Sequence, residues 1–436
     1  MEYEDIIISA TDRVQKIQYT KDSESNDNQP QYLFNGKQLN LNIDVHNKSL
    51  KELENEMITD IINSFIGDQY ENTIILTGAG ASILNEDSIE DLTKYSGKNV
   101  RELTIEIDKY LNDRINESTK LLVEESNTNQ LLSLKEFAMT INYFKKEEEY
   151  SIEKVNIENL LSYADAAKEY VTIGDETLEK KFLNTLGEIE KKIKELCQLQ
   201  LHRLHPHSQF LEKITSRRKS HNRVKIFTTN YDTLFEQAAQ EEGYIVVDGF
   251  TFNFPRTFNP YMFEYDFVRR DNNKIIDEPD FIEKVIHLYK LHGSVDWEKL
   301  SNNRIVKTND PIKPLMIYPR KNKYEQSYED PYFEIFSRFQ FELRKRNTLF
   351  IVIGFSFADK HIQTIVQNAI KNNPSIKVLI VDYNISQSTF NFFIERAEKY
   401  NNIMLYQGVF DDFVKRFNKQ KAYSDDFFSS LGDISE

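Results

Sequence analysis

The stretch Asn72-Thr73-Ile74-Ile75-Leu76-Thr77-Gly78-Ala79-Gly80-Ala81-Ser82 decides how the rest of the chain is read. An apolar run of β-branched and leucine residues breaks abruptly into alternating small residues. Such a run reads as a buried strand ending in a turn where backbone must approach another group closely. A pyrophosphate is the usual group. Two glycines leave amides uncovered, and the N-terminus of a following helix adds its partial positive charge. The full dinucleotide fingerprint is absent: Ile83 stands where a third glycine belongs, and an acidic ribose partner is due about 20 residues on. On this stretch alone, a phosphate-binding turn and a purely structural glycine turn are both open.

Upstream, Leu50, Leu53, Met57, Ile61 and Phe65 recur every three or four residues, which predicts a helix with one apolar face ending near Gly67. Residues 1–48 read as a hairpin arm. Ile6-Ile7-Ile8 is followed by a polar stretch from Lys21 to Gln29, expected as a mobile loop. Asn35-Gly36 between β-type residues is a hairpin signal, and Leu39, Leu41, Ile43 and Val45 alternate as one buried face would. The arm either packs on a neighbouring molecule or caps the sheet.

Downstream, residues 90–215 carry helical patterning with few glycines. The clearest stripe is Leu178, Phe182, Leu186, Ile189, Ile193 and Leu196, and Ser133–Phe144 and Ile157–Tyr170 are shorter versions of it. A block of this length exceeds an ordinary crossover and predicts an inserted helical subdomain. His202, His205 and His207 follow Cys197 closely. They read either as metal ligands or as exposed imidazoles at a helix end terminated by Pro206. No second cluster offers complementary ligands, so no metal is expected.

From residue 223 an alternating rhythm resumes. Strands are predicted at Val224–Thr228, Val285–Leu291, Leu315–Tyr318, Leu349–Ile353, Lys377–Asp382 and Ile403–Tyr406, with helices at 233–242 and 332–345. The segment 250–283, rich in Phe, Tyr, Asn and Pro, resists assignment. The alternation predicts an α/β fold, a doubly wound, Rossmann-like parallel sheet spanning residues 49–420 with the helical insertion inside it. Residues 421–436 form a polar, acidic tail.

The 436 residues carry 55 Lys and Arg against 70 Asp and Glu, a formal charge of −15, with an isoelectric point near 5.2. A negative overall field opposes nucleic acid and anionic lipid, so neither is expected as a partner. The basic clusters Arg217-Arg218-Lys219 and Arg344-Lys345-Arg346 lack interleaved aromatics and read as solvated faces. The single Cys197 excludes an intramolecular disulfide and a four-cysteine zinc site within one chain. No stretch resembles a signal peptide or a bilayer span, so a reducing, cytoplasmic location is expected.

Ligands of an open parallel sheet bind beyond the carboxyl ends of its strands. Four predicted strand ends carry unusual residues: Gly78-Ala79-Gly80-Ala81-Ser82, Thr229-Asn230-Tyr231-Asp232, His292-Gly293-Ser294 and Gly354-Phe355-Ser356. A fifth, Asp382, puts a carboxylate where a ribose diol is often held. Each residue also has an ordinary structural explanation. Asn230 would cap the next helix, Asp232 would sit in its first turn, and His292 would be a satisfied core histidine. Their gathering at strand ends argues for a site.

In this order the segments resemble the sirtuin-like catalytic domain, and specifically its divergent prokaryotic branch found in antiviral defence systems. Gly78-Ala79-Gly80-Ala81-Ser82 is similar to the family's GAGxS loop. Thr229-Asn230-Tyr231-Asp232 is similar to its TQNxD-type segment, with Thr229 in place of Gln. Leu291-His292-Gly293-Ser294 is similar to LHGS, and Gly354-Phe355-Ser356 to the GxS loop. Two departures separate the chain from protein deacylases of the family. It cannot supply their four-cysteine zinc module, and Ile83-Leu84-Asn85-Glu86-Asp87 replaces the GIPDFR cofactor loop.

The resemblance to the divergent branch implies an NAD glycohydrolase that depletes NAD during phage infection, with NAD as substrate and no metal. It implies that Asn230 positions the attacking water and the nicotinamide ribose, that Asp232 orients that ribose, and that His292 is the general base. Gly78, Ala79, Gly80, Ser82, Thr229, Gly354, Ser356 and Asp382 would hold the cofactor. An unrestrained NADase would kill its host, so a homo-oligomer gated by a partner, such as a HerA-type ring ATPase, is expected. The competing classes are a non-catalytic NAD-sensing scaffold and an NAD-dependent deacylase.

Overall fold

A computed structural model describes residues 2–18, 31–38, 50–67, 70–84, 91–120, 131–171, 175–216, 221–269, 280–316 and 330–419. The chain opens with β1 (Glu2–Ser9), β2 (Arg13–Gln18), β3 (Gln31–Phe34) and β4 (Lys37–Gln38), paired antiparallel in sequence. Asn35 and Gly36 join the last two at φ of 50° and 76°, as the Asn-Gly signal predicts. Helix α1 (Leu50–Ile66) ends at Gly67, which adopts φ 60°, and delivers the chain to β5 (Asn72–Thr77).

Among the described residues, five α-helices lie between β5 and β6 (Val224–Thr228): α2 (Val100–Lys120), α3 (Leu134–Thr140), α4 (Ile157–Val171), α5 (Glu176–Cys197) and α6 (His207–Ile214). Helix α7 (Leu234–Glu241) and β7 (Ile245–Val247) follow. The short strands β8 (Arg256–Thr257), β9 (Val268–Arg269) and β10 (Asp280–Phe281) then lead to β11 (Val285–Lys290). Next come β12 (Gly293–Lys299), β13 (Ile305–Lys307), β14 (Pro314–Met316) and α8 (Tyr332–Glu342). The last elements are β15 (Thr348–Ile353), α9 (Lys360–Asn372), β16 (Ile376–Asp382), α10 (Asn391–Ala397), β17 (Ile403–Gln407) and α11 (Phe410–Arg416).

One sheet runs in the order β4-β3-β2-β1-β17-β16-β15-β5-β6-β11-β7. From β17 to β7 every pairing is parallel. The two faces of this parallel part bury different side chains. Ile74, Leu76, Phe227, Phe350 and Val352 face α8, α9 and α10 through Phe339, Ile362 and Phe393. Ile75, Ile226, Leu349 and Ile351 face α1, α6, α7 and α11 through Ile62, Phe210, Ala238 and Phe413. Burial on both faces is why these strands read as unbroken apolar runs rather than alternating ones. The doubly wound α/β architecture is therefore present, and the N-terminal strands extend it antiparallel through Ile7↔Tyr406.

Helices α2 to α5 share a core. Leu103, Ile107 and Leu111 of α2 pack with Phe137 of α3, Leu160 of α4, and Phe182 and Ile189 of α5. Ser133 starts α3 with a capping box closed by Glu136. Helix α6 lies inside the predicted 90–215 block, yet Phe210, Leu211 and Ile214 belong to the core under the sheet.

Three expectations are corrected. Pro206 does not end a helix: it precedes α6, and His205 and His207 are buried rather than exposed. His205 Nε2 contacts Tyr95 O at 2.9 Å, and the His207 ring packs against Phe235 and Phe410. Leu315-Met316 does not join the parallel sheet. It belongs to β14 in a second, antiparallel sheet of order β14-β12-β13-β8. His292-Gly293-Ser294 is not an open loop, because β12 begins at Gly293.

The expected loop at Lys21–Gln29, the alternation from Leu39 to Val45, the cluster Arg217-Arg218-Lys219, Ile317-Tyr318 and the 421–436 tail lie outside the described residues. Among the described residues no helix is long and apolar enough to cross a membrane.

Phe182 is fully buried and stacks on Phe137 at 5.3 Å between ring centroids. Phe182→Ala is expected to destabilise the insertion by about 3–5 kcal/mol, the usual cost of emptying an aromatic core site. Urea unfolding measures it, and a change below about 1 kcal/mol would mean the insertion has no specific core of its own.

Candidate active site

The parallel strands end along one edge. Their register pairs Val381 with Ile353, Ile353 with Thr77, Thr77 with Thr228 and Thr228 with Lys290. The next residues of these strands are Asp382, Gly354, Gly78 and Thr229, and His292 lies just past Lys290. All five predicted strand-end segments therefore share this edge. Chain direction reverses its lateral progress at β5: β6 and β11 are added on one side, β15, β16 and β17 on the other. That switch point is where an open α/β sheet leaves a crevice.

At the switch point two loops touch backbone to backbone. A Cβ on Gly80 would lie 2.7 Å from Gly354 Cα, and one on Gly354 would lie 2.6 Å from Gly80 Cα. A Cβ on Gly78 would meet Gly354 O at 2.7 Å. Gly354 also has φ 59°, which favours glycine. Gly80 N donates to Gly354 O at 3.0 Å, and Gly78 N to Ile353 O at 3.0 Å. The glycines thus serve loop-to-loop contact, and these two amides are already engaged. Ala79, between them, is exposed.

Three side chains form a directed chain across this crevice. Asn230 Nδ2 donates to Gly78 O at 2.9 Å and to Ser82 Oγ at 2.7 Å. Ser82 Oγ donates to Asp232 Oδ2 at 2.6 Å. Asp232 Oδ1 accepts from Leu234 N at 3.0 Å, tying the chain to the start of α7. Both amide hydrogens of Asn230 are therefore engaged, which leaves Oδ1 as the side chain's acceptor. Thr229 N donates to Thr77 O at 3.0 Å, so its part is to hold β6 against β5.

Lys290, only 2% exposed, lies under this loop and donates to Asp232 O. It also joins a buried charge network that crosses to the second sheet. Lys290 Nζ is 3.4 Å from Glu236, and Lys307 Nζ lies 3.0 Å from Asp248 and 3.3 Å from Asp296. Burial pushes the Lys307 amine down, but Asp248, Asp296 and Glu236 outweigh it and hold it well above the usual lysine range. Burial pushes the Glu236 carboxyl up.

His292 is 4% exposed and follows β11 by two residues, after Leu291. Gly293 then turns the chain into β12 at φ 85°, and a Cβ there would lie 2.1 Å from Leu315 O, so only glycine fits. His292 Nε2 stands 3.3 Å from Asp359 Oδ2, with both side chains almost fully buried. Asp359 caps α9 through its other oxygen, accepting from His361 N at 2.9 Å and Ile362 N at 3.3 Å.

Ser356 is half-buried between buried Phe355 and Phe357. Phe357 takes φ 56°, a strained conformation for an aromatic residue, and its ring is pinned 4.3 Å from that of Phe393. Asp382 accepts from Asn384 N at 2.9 Å, and burial pushes its carboxyl up to about 6. The structure thus joins Ser82, Asn230 and Asp232 directly, and sets His292 against Asp359. Sequence reasoning missed Asp359, Lys290 and Phe357. An aspartate soon after a strand is a general cap signal for a following helix, but nothing in the sequence shows what its second oxygen meets.

Two outcomes follow from the loop contact and the buried carboxyl. Gly80→Ala is expected to destabilise the fold by about 1–3 kcal/mol, because the contact it meets is backbone. Gly187→Ala in α5, where a Cβ meets nothing within 4 Å, is expected to stabilise by about 0.5–1 kcal/mol. Equal effects in urea unfolding would refute the loop-contact account. For Asp382, a native carboxyl at about 6 against the ordinary 3.8 means the folded state holds the proton more tightly. The stability it contributes is complete below about pH 3.8 and is lost as pH rises through about 6. Asp382→Asn is therefore expected to exceed wild type by up to about 3 kcal/mol above pH 7, with the gap closing below about pH 4. A gap independent of pH would contradict this.

Residues 224–404 match the family described as SIR2-like domain. Asn230, Asp232, His292, Gly354, Ser356, Asp359 and Asp382 fall inside that span, and the 78–82 turn falls outside it. No curated protein matches the chain. Among solved structures, one described as "Sir2 bound to acetylated peptide" is 14% identical, covering 85% of this chain and 97% of that one at a TM-score of 0.35. Another, "Structural Basis for the Mechanism and Regulation of Sir2 Enzymes", is 12% identical, covering 84% and 97% at a TM-score of 0.31. The family match over 224–404 supports a sirtuin-like family for this chain.

Proposed function

We propose that the protein is an NAD-dependent enzyme of sirtuin-like type that hydrolyses NAD+ to nicotinamide and ADP-ribose. The observation that carries this reading is the polarity of the Asn230 side chain. With both amide hydrogens held by Gly78 O and Ser82 Oγ, Asn230 offers an acceptor, which is what orienting a water requires.

Nicotinamide leaves a cationic ring as a neutral molecule through an oxocarbenium-like transition state, so the bond needs little acid assistance. The protein must hold the ribose, exclude bulk water and orient one water. Asn230 Oδ1 takes the last task. Asp232 acts on it through Ser82 and fixes the amide's direction. His292 takes the water's proton as general base. Asp382, buried at the neighbouring strand end, is suited to the hydroxyls of the adenosine ribose. Gly78, Ala79, Gly80, Gly354 and Ser356 let the dinucleotide come close to backbone, with Ala79 the exposed residue of the turn.

In the cell, this activity fits the NAD-depleting effector of an anti-phage system, a homo-oligomer restrained by a partner such as a HerA-type ATPase. The test is mass spectrometry of NAD incubated with pure protein, alone and with that partner, in the absence of any peptide. Nicotinamide and ADP-ribose are the expected products, and His292→Ala or Asn230→Ala is expected to lower kcat at least about 100-fold. Intact NAD under both conditions overturns the hydrolase reading. Binding without turnover by calorimetry would mark a sensor, and turnover only with an acylated peptide a deacylase.

A further inference from the structure

We propose that Asp359 is the positioning residue of His292, fixing which ring nitrogen carries the proton and therefore which one acts as base. The inference rests on the hydrolase reading for its kinetic consequence, and on geometry alone for its structural one.

Asp359 divides its carboxylate between two tasks. Oδ1 accepts from His361 N and Ile362 N at the start of α9. Those bonds lock the carboxylate against the N-terminal end of a 13-residue helix. Oδ2 is left 3.3 Å from His292 Nε2, within ion-pair distance though not in hydrogen-bond alignment. The side chains are 5% and 6% exposed, so little water competes for either group. A buried carboxylate facing one imidazole nitrogen stabilises the tautomer protonated there. With the proton on Nε2, Nδ1 is the ring's basic atom.

During hydrolysis the water oxygen forms its bond to the ribose carbon as the carbon–nitrogen bond breaks, and nicotinamide leaves with that electron pair. The water's proton goes to Nδ1, and the imidazolium so formed is compensated by Asp359. The two residues come from different strand ends, β11 and β15, so the pair also ties the base to the loop that carries Gly354 and Ser356.

Asp359→Asn separates this role from capping. Asparagine caps helices about as well as aspartate, so α9 keeps its two backbone bonds while His292 loses the negative charge. The variant is expected to keep the wild-type thermal midpoint and the KM for NAD, and to lose kcat about 10- to 100-fold, part of the 10²–10⁴ that a general base supplies. Nitrogen-15 spectra of histidine-labelled protein, with His292→Ala for assignment, read the tautomer without turnover. The wild type is expected to show His292 protonated on Nε2, and Asp359→Asn to shift those signals. An unshifted His292 spectrum in the variant, or a wild-type proton on Nδ1, overturns the inference, as does full kcat in Asp359→Asn. Absence of NAD cleavage by the wild type refutes the hydrolase reading instead, and the spectra then decide the pairing by themselves.

Discussion

Two strands of the sheet end in loops that touch with no side chain between them, and the rest of the site is arranged around that contact. Gly80 and Gly354 approach so closely that neither tolerates a Cβ. The contact closes one wall of the crevice at the topological switch point and sets the height at which Gly78 O receives Asn230. Through Asn230 it sets the direction of Ser82 and Asp232. On the other side, the same loop runs on through strained Phe357 to Asp359 and so reaches His292. One steric constraint thus couples the segments whose side chains would do chemistry.

Beneath those loops the support is electrostatic. Lys290 and Lys307 lie among Glu236, Asp248 and Asp296, linking α7, the parallel sheet and the small antiparallel sheet. Buried charges of this kind stabilise little compared with well-packed apolar groups, but removing one partner leaves the others uncompensated. Their effect here is on geometry. Lys290 holds the carbonyl of Asp232 while Gly78 O and Ser82 Oγ hold the Asn230 amide. A short loop between a strand and a helix is thereby fixed on both sides.

The sequence made part of this legible. β5, β15 and β16 are buried on both faces, so their composition alone marked them as central parallel strands, and Asn35-Gly36 marked its hairpin. The second sheet was not legible. Its strands are mostly two or three residues long, and β12 contains Gly293 and Asp296, which read as turn formers. The glycine turn was found for an incomplete reason: its small residues were read as exposing amides, whereas they accommodate a second loop. The pairing of His292 with Asp359 depends on how β11 lies relative to β15, which no local pattern encodes. Pro206 misled because proline suits the first turn of a helix as well as the end of one.

The N-terminal strands reach the sheet through β17, near the other end of the described chain. The side chains of Glu4 and Gln407, 403 residues apart, are hydrogen-bonded across that junction. A pairing so distant in sequence forms slowly and late. On the ribosome, β1 to β4 emerge long before β17, the strand that receives them, and must wait while the intervening helices are made. The crevice itself draws on positions from Gly78 to Asp382, so a nascent chain carries no complete site until synthesis has passed Asp382. Vectorial synthesis therefore confines any activity of this site to chains whose β5 and β16 have both cleared the ribosome.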